Sequence, residues 1–170
     1  MKRNVFFLLT SVTFIGLILR IYNLSSIPAG FFCDEASTGY NAYLLLNTGR
    51  DEFGKQFPVF FESFGNFRPG VPFYVTIPFV ALFGLSEFST RLPAALIGTA
   101  TIVGLFFLVR LLFGSEKIAL LSATLLAIAP WHIHFSRYGA ENIYLPFFAV
   151  LGSFLLLEGV KKKNNKIFLV

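Results

Sequence analysis

Val71-Pro72-Phe73-Tyr74-Val75-Thr76-Ile77-Pro78-Phe79-Val80-Ala81-Leu82-Phe83-Gly84-Leu85 is the stretch that decides how this chain is threaded. As a helix it reaches only roughly 22 Å, short of the apolar thickness of a bilayer, and Pro72 and Pro78 interrupt its hydrogen bonding. If it crosses, Asp34 and Glu141 fall on opposite sides of the membrane, and Lys161, Lys162 and Lys163 end up outside. If it lies on the outer surface, every basic cluster falls inside: Lys2 with Arg3, Arg110 with Lys117, and Lys161 to Lys163. The second threading satisfies the positive-inside rule. It predicts four spans with both ends cytoplasmic.

The spans on either side follow from composition. A chain of 170 residues that is 55% hydrophobic, with 23 Phe, has too little polar surface to coat a soluble globule. The spans are Val5 to Leu19, Leu92 to Phe113, Ile118 to Phe135 and Ile143 to Val160. The first resembles a signal peptide behind Lys2 and Arg3, but Arg20-Ile21-Tyr22-Asn23 follows it in place of a small-residue cleavage site, so it reads as uncleaved. The fold class is an all-α, polytopic transmembrane helical bundle forming a single membrane domain over 1–170. A long external loop runs from Asn23 to Arg91, and a second external loop lies around Arg137 to Asn142. The formal net charge of +5 sits at span ends and forms no basic stripe, which argues against a nucleic-acid partner. Cys33 is the sole cysteine, so no intrachain disulfide forms.

First external loops are usually short, so the length, acidity and aromatic content of residues 23–91 ask for a reason. Catalysis is that reason. Ala36, Tyr40, Tyr43, Leu44 and Asn47 recur at helical spacing, with Asp34 as the expected N-cap and Gly49 just past the end. A turn-rich segment from Arg50 to Gly70 leads into the Val71 to Leu85 surface helix. The acidic pair Asp34 and Glu35 heads the loop, and a carboxylate at a membrane surface can perform acid/base chemistry on a lipid-borne substrate.

Four pieces in order resemble the amino-terminal part of the integral-membrane glycosyltransferases of GT-C fold. They are the Asp34-Glu35 pair, Arg68-Pro69-Gly70-Val71-Pro72-Phe73-Tyr74, Ser89-Thr90-Arg91-Leu92-Pro93-Ala94-Ala95-Leu96-Ile97-Gly98, and Pro130-Trp131-His132-Ile133-His134-Phe135-Ser136-Arg137-Tyr138-Gly139 leading into Glu141. The resemblance is to the protein O-mannosyltransferase-like and aminoarabinose-transferase-like enzymes of glycosyltransferase family 39 type, and it covers most of the chain. It also implies a surface position for Val71 to Leu85.

The resemblance implies transfer of a sugar from a polyprenyl-phosphate donor to a hydroxyl acceptor, with inversion, at the extracytoplasmic face of a plasma (inner) membrane. The attacking hydroxyl needs a carboxylate to take its proton, and the departing lipid phosphate needs a cation. Asp34, with Glu35 beside it, suits the first task. Arg91 suits the second, matching the family's arginine at the mouth of the second span, with Arg137 and Arg68 as further candidates. Glu141 falls where the family often carries an acidic residue, and Tyr40 is a supporting residue. Plainer roles stand beside these. Asp34 can cap its helix, Glu35 can be a solvated or orienting neighbour, and Arg91 and Arg137 can be interfacial anchors.

These motifs specify no certain cofactor. A divalent metal is conceivable through His132 and His134 with Glu141 or Glu62, although a spacing of two points the histidines to different helical faces. Ile167-Phe168-Leu169-Val170 reads as the start of a further apolar segment, so the chain is expected to be the N-terminal part of a longer module whose later spans complete the donor groove. The competing class is a non-enzymatic membrane protein, a transporter portion or assembly subunit. Transporters place ionisable groups at mid-membrane depth, whereas the four spans here lack acidic residues at their centres and the charges cluster outside.

Overall fold

The computed structural model describes residues 2–63, 65–139 and 141–162. The order is α1 (Arg3–Ile21), α2 (Cys33–Thr48), β1 (Phe60–Ser63), β2 (Asn66–Pro69), α3 (Val71–Phe83), α4 (Glu87–Phe113), α5 (Glu116–Ile128), α6 (Pro130–Arg137), a 3-10 turn (Glu141–Ile143) and α7 (Tyr144–Lys162). The expectation for Lys163 to Val170 lies outside the described residues.

Three helical segments, Arg3–Ile21, Glu87–Phe113 and Glu141–Lys161, are long and apolar enough to cross a membrane, and α5 with α6 passes the same test as a bent pair. The protein is an all-α integral membrane protein. Helix α4 is the central element, packing on α1, α5, α6 and α7. Leu9 of α1 meets Ile102, Phe106 and Val109 of α4 and Ala119, Ala123 and Ala127 of α5. Those three alanines recur every fourth residue, so one face of α5 presents only methyl groups and its backbone approaches closely. Gly98 serves the same end on α4, because a Cβ there would overlap the Ser136 side chain of α6.

The expected straight span from Ile118 to Phe135 is instead broken, with a 57° bend between α5 and α6. Pro130 has no N–H to donate to Leu126, and Ala129 before it is extended, with φ −64° and ψ 120°. Carbonyls freed by a break inside a membrane need donors from elsewhere. The Ala129 amide turns back to Leu126 O at 3.3 Å, and Arg20 supplies the rest, giving Nη1 to Ala127 O at 3.0 Å and Nη2 to Leu126 O at 3.3 Å. Its guanidinium is fully buried and also meets Gly16 O at 2.8 Å, Ser136 Oγ at 3.2 Å and His132 Nδ1 at 2.8 Å. Guanidinium only donates, so Nδ1 accepts and the His132 proton sits on Nε2.

At one end of the bundle, α2, the hairpin and α3 form a second layer. Helix α3 has 13 residues, about 20 Å of rise, and packs on α2 and α4. Leu45, Phe61 and Phe73 bury the junction, with the two phenylalanine rings stacked at 3.9 Å. The hairpin was not foreseen in the turn-rich segment. It pairs Phe61 with Arg68, and its turn uses Gly65 at φ 77°. Helix α2 closes at Gly49, φ 67°, as expected, but its N-cap is Phe32 and not Asp34. Glu35, at the third position, accepts the Phe32 amide through Oε2 at 3.0 Å, which leaves Asp34 in the first turn with its carboxylate directed elsewhere.

Candidate active site

Helix α2, strand β2 and the segment after α6 meet at the end of the bundle, and three charged side chains come together there. Arg68, buried in its strand, donates Nε to Glu141 Oε2 at 3.1 Å and pairs with the same carboxylate through Nη2. Its Nη1 reaches Asp34 Oδ1 at 3.7 Å and donates to the Asp34 carbonyl at 3.0 Å, while Nη2 also donates to Thr38 Oγ1 at 3.3 Å. The guanidinium lies over the Phe73 ring at 5.2 Å. Strand pairing, an ion pair and a ring face therefore fix one orientation. The Asp34 side chain remains 36% exposed and that of Glu141 34%, so both carboxylates are open to a ligand.

Tyr138 completes the group by donating Oη to Asp34 Oδ2 at 3.5 Å. Burial first, then the negative charges of Asp34 and Glu35, push its phenol above the ordinary tyrosine value, so the hydroxyl stays protonated. Sequence reasoning did not single out Tyr138, Thr38 or Phe73. Tyr138 lies 104 residues from Asp34, and no local pattern announces that contact.

Arg91, expected to stabilise the departing phosphate, is turned inward instead. It is fully buried and donates Nε to Glu35 Oε1 at 2.7 Å, Nη2 to Glu35 Oε2 at 3.1 Å and Nη2 to Gly30 O at 2.6 Å. Its Nη1 reaches Leu24 O at 3.0 Å and Ser25 O at 3.5 Å. All five donors are thereby taken. Glu35 is likewise buried and not a solvated neighbour; Oε1 also accepts the Gly139 amide at 3.1 Å. Arg137 spends Nη1 and Nη2 on the carbonyls of Leu19 (2.8 Å), Tyr22 (2.6 Å) and Ile27 (2.9 Å), and its buried Nε has no partner.

The paired-histidine metal reading does not match the geometry. His132 is buried against Arg20, His134 is exposed on another face, and no group of three or more His, Cys, Asp or Glu among the described residues is placed to hold a metal ion.

Two cavities meet at the first turn of α2. One, of about 410 Å³, is lined by Pro28, Phe31, Phe32, Glu35, His134 and Tyr138. It shares Pro28 and His134 with an apolar recess of about 370 Å³ that continues past Ile128, Pro130, Ile133 and Arg137. The other, of about 590 Å³, is lined by Cys33, Ser37, Tyr40, Glu52, Phe53 and Glu62. Tyr40, named as supporting, thus faces a cavity and not the Arg68 group.

Residues 68–170 match the family model described as dolichyl-phosphate-mannose-protein mannosyltransferase. The chain belongs to the dolichyl-phosphate-mannose-protein mannosyltransferase family. The matched stretch of this mannosyltransferase-family chain holds Arg68, Arg91, Arg137 and Glu141, while the Asp34-Glu35 pair lies ahead of it. The chain is also 29% identical over 152 residues to an uncharacterized protein of Aquifex aeolicus (strain VF5). That alignment covers 89% of this mannosyltransferase-family chain and 30% of the relative, so the chain spans about a third of that relative's length. No solved structure matches.

Proposed function

We propose that this chain carries the acid/base half of an inverting glycosyltransferase that moves a sugar from a polyprenyl-phosphate donor to an acceptor hydroxyl at the outer membrane face. The observation that carries the reading is the Asp34 carboxylate, partly exposed between Arg68 and Tyr138, in a chain of a lipid-phosphate-sugar mannosyltransferase family. Asp34 takes the proton of the acceptor hydroxyl as its oxygen bonds the anomeric carbon. The carbon–phosphate oxygen bond breaks on the opposite face, and its electron pair leaves with the lipid phosphate. Arg68 is the cation held beside Asp34, so it stabilises the phosphate as charge develops, with Glu141 setting the fork's orientation. Tyr138 holds Oδ2 of Asp34, and Oδ1, which Arg68 approaches to 3.7 Å, takes the proton.

Arg137 and His134 line the approach on the donor side. Arg91 is assigned to holding Glu35 and the 24–30 loop, since none of its donors is left for phosphate. The outer location rests on the gathering of Lys2, Arg3, Arg110 and Lys117 at the opposite end of the bundle. The 23–91 segment is then the external catalytic loop of a module whose donor groove includes further spans.

The test is Asp34→Asn, which keeps the shape and removes the base. Transfer from a polyprenyl-phosphate mannose to a hydroxyl acceptor should stop while membrane insertion and unfolding midpoint are unchanged. Transfer at the unsubstituted rate would refute the assignment.

A further inference from the structure

The two cavities bordering the first turn of α2 differ in charge, and that difference separates donor from acceptor. The larger cavity carries the carboxylates of Glu52 and Glu62 and no basic side chain among its lining residues. Glu52 is fixed there by α2, its Oε1 accepting Asn41 Nδ2 at 2.8 Å and its amide donating to Asn41 Oδ1 at 2.9 Å. Glu62 projects from β1 and pairs at 3.1 Å with Lys55, itself outside the lining. Glu62 is therefore offset by Lys55, whereas Glu52 has only the neutral Asn41 beside its carboxylate, and a phosphate entering this space meets that charge at a cost in affinity. On the other side Glu35 is already neutralised by Arg91, and His134 and Arg137 line the path.

The lining has a second character. Tyr40 is 47% and Phe53 54% exposed, so two aromatic groups edge the same cavity as two carboxylates and the hydroxyls of Ser37 and Ser63. Flat apolar rings beside acceptors and hydroxyls match a pyranose, which has a C–H face and a hydroxyl rim. The carboxylates add a preference for positive charge. The cavity borders the turn that carries Asp34. Ser37 lies three residues after Asp34 and Cys33 is its chain neighbour, so a ring seated here lies beside that turn.

We propose that the cavity between α2 and the hairpin is the acceptor subsite, and that the acceptor it takes is a glycan carrying an amino sugar. This rests on the transferase reading above for the role of Asp34, and not for the binding itself. Donor phosphate and acceptor then approach the first turn of α2 through two separate cavities.

Cys33 gives a direct reporter, being the sole cysteine, exposed and part of this lining. The full chain in lipid nanodiscs is labelled with a fluorescent maleimide in the presence of methyl glucosaminide, methyl glucoside or methyl glucuronide. These probes share a ring and differ in charge. The glucosaminide should halve the labelling rate at a concentration about ten-fold below that needed for the glucuronide, with the neutral glycoside between. Glu52→Gln with Glu62→Gln should collapse that separation and leave protection by the neutral glycoside in place. Equal protection by all three, best protection by the glucuronide, or none by any of them overturns the proposal. So does stronger protection by a lysine- and serine-bearing peptide than by the glucosaminide. Since the readout is binding, a protected Cys33 with no sugar transfer counts against the transferase reading alone. Transfer onto an amino-sugar glycan without protection counts against the subsite alone.

Discussion

Glu35 and Arg91 form a bidentate ion pair from which water is excluded, with Nε to Oε1 at 2.7 Å, Nη2 to Oε2 at 3.1 Å, and side chains 1% and 0% exposed. The pair joins the first turn of α2 to the first turns of α4 across 56 residues, and through Gly30 O and the Gly139 amide it gathers the loops after α1 and α6. Asp34 is held in place by its neighbour's burial.

Removing one partner of a buried pair leaves the other charge uncompensated. Glu35→Gln should therefore destabilise the protein by about 3–5 kcal/mol, read as a lowered thermal unfolding midpoint in detergent. Arg91→Lys should not recover it, because an ammonium cannot reach both carboxylate oxygens and the carbonyls of Leu24 and Gly30 together. A midpoint unmoved by Glu35→Gln would show that the pair is dispensable.

Arg68→Lys separates charge from geometry. The ammonium keeps the cation but loses the fork on Glu141, the Thr38 contact and the guanidinium's place over the Phe73 ring. Sugar transfer should fall by about 100-fold in kcat, with a smaller stability change than for Glu35→Gln. Unchanged kcat would move phosphate stabilisation away from Arg68.

Threading is testable at the two ends of α4. In a Cys33→Ser background, Leu85→Cys should react with an impermeant maleimide from outside intact cells, and Lys117→Cys only after permeabilisation. Both positions are exposed, and neither caps a helix. Labelling of Lys117→Cys from outside, with Leu85→Cys protected, would invert the topology.

Tyr138 predicts an alkaline effect. Its folded value lies above the ordinary value near 10, raised by burial and then by Asp34 and Glu35. The contribution is fully present below the unfolded value. Above about pH 10 the unfolded chain releases the phenolic proton more readily than the folded one, so stability is lost as pH rises further. Tyr138→Phe removes the titrating group, and its unfolding midpoint should decline less steeply above pH 10 than that of the unsubstituted chain. Parallel declines would mean that Tyr138 is solvated.

Some of this was written in the linear sequence. Apolar length marked the three continuous spans, because a bilayer imposes one dimension on every helix that crosses it. The shortness and prolines of Val71 to Phe83 set that helix apart from the spans, and Gly49 ended α2 because a left-handed residue closes a helix cheaply. Pro130 was visible too, but not the bend's survival within the bundle. That depends on Arg20, 107 residues away, covering the Ala127 carbonyl. Which carboxylate of the Asp34-Glu35 pair is buried, and which arginine stands beside the exposed one, was likewise absent from the sequence, since adjacent acids are chemically alike until an environment divides them. Tertiary packing made the division. The α2–α4 junction sealed Glu35 onto Arg91, strand pairing delivered Arg68 to Asp34, and only three-dimensional proximity gives two like residues different water, partners and roles.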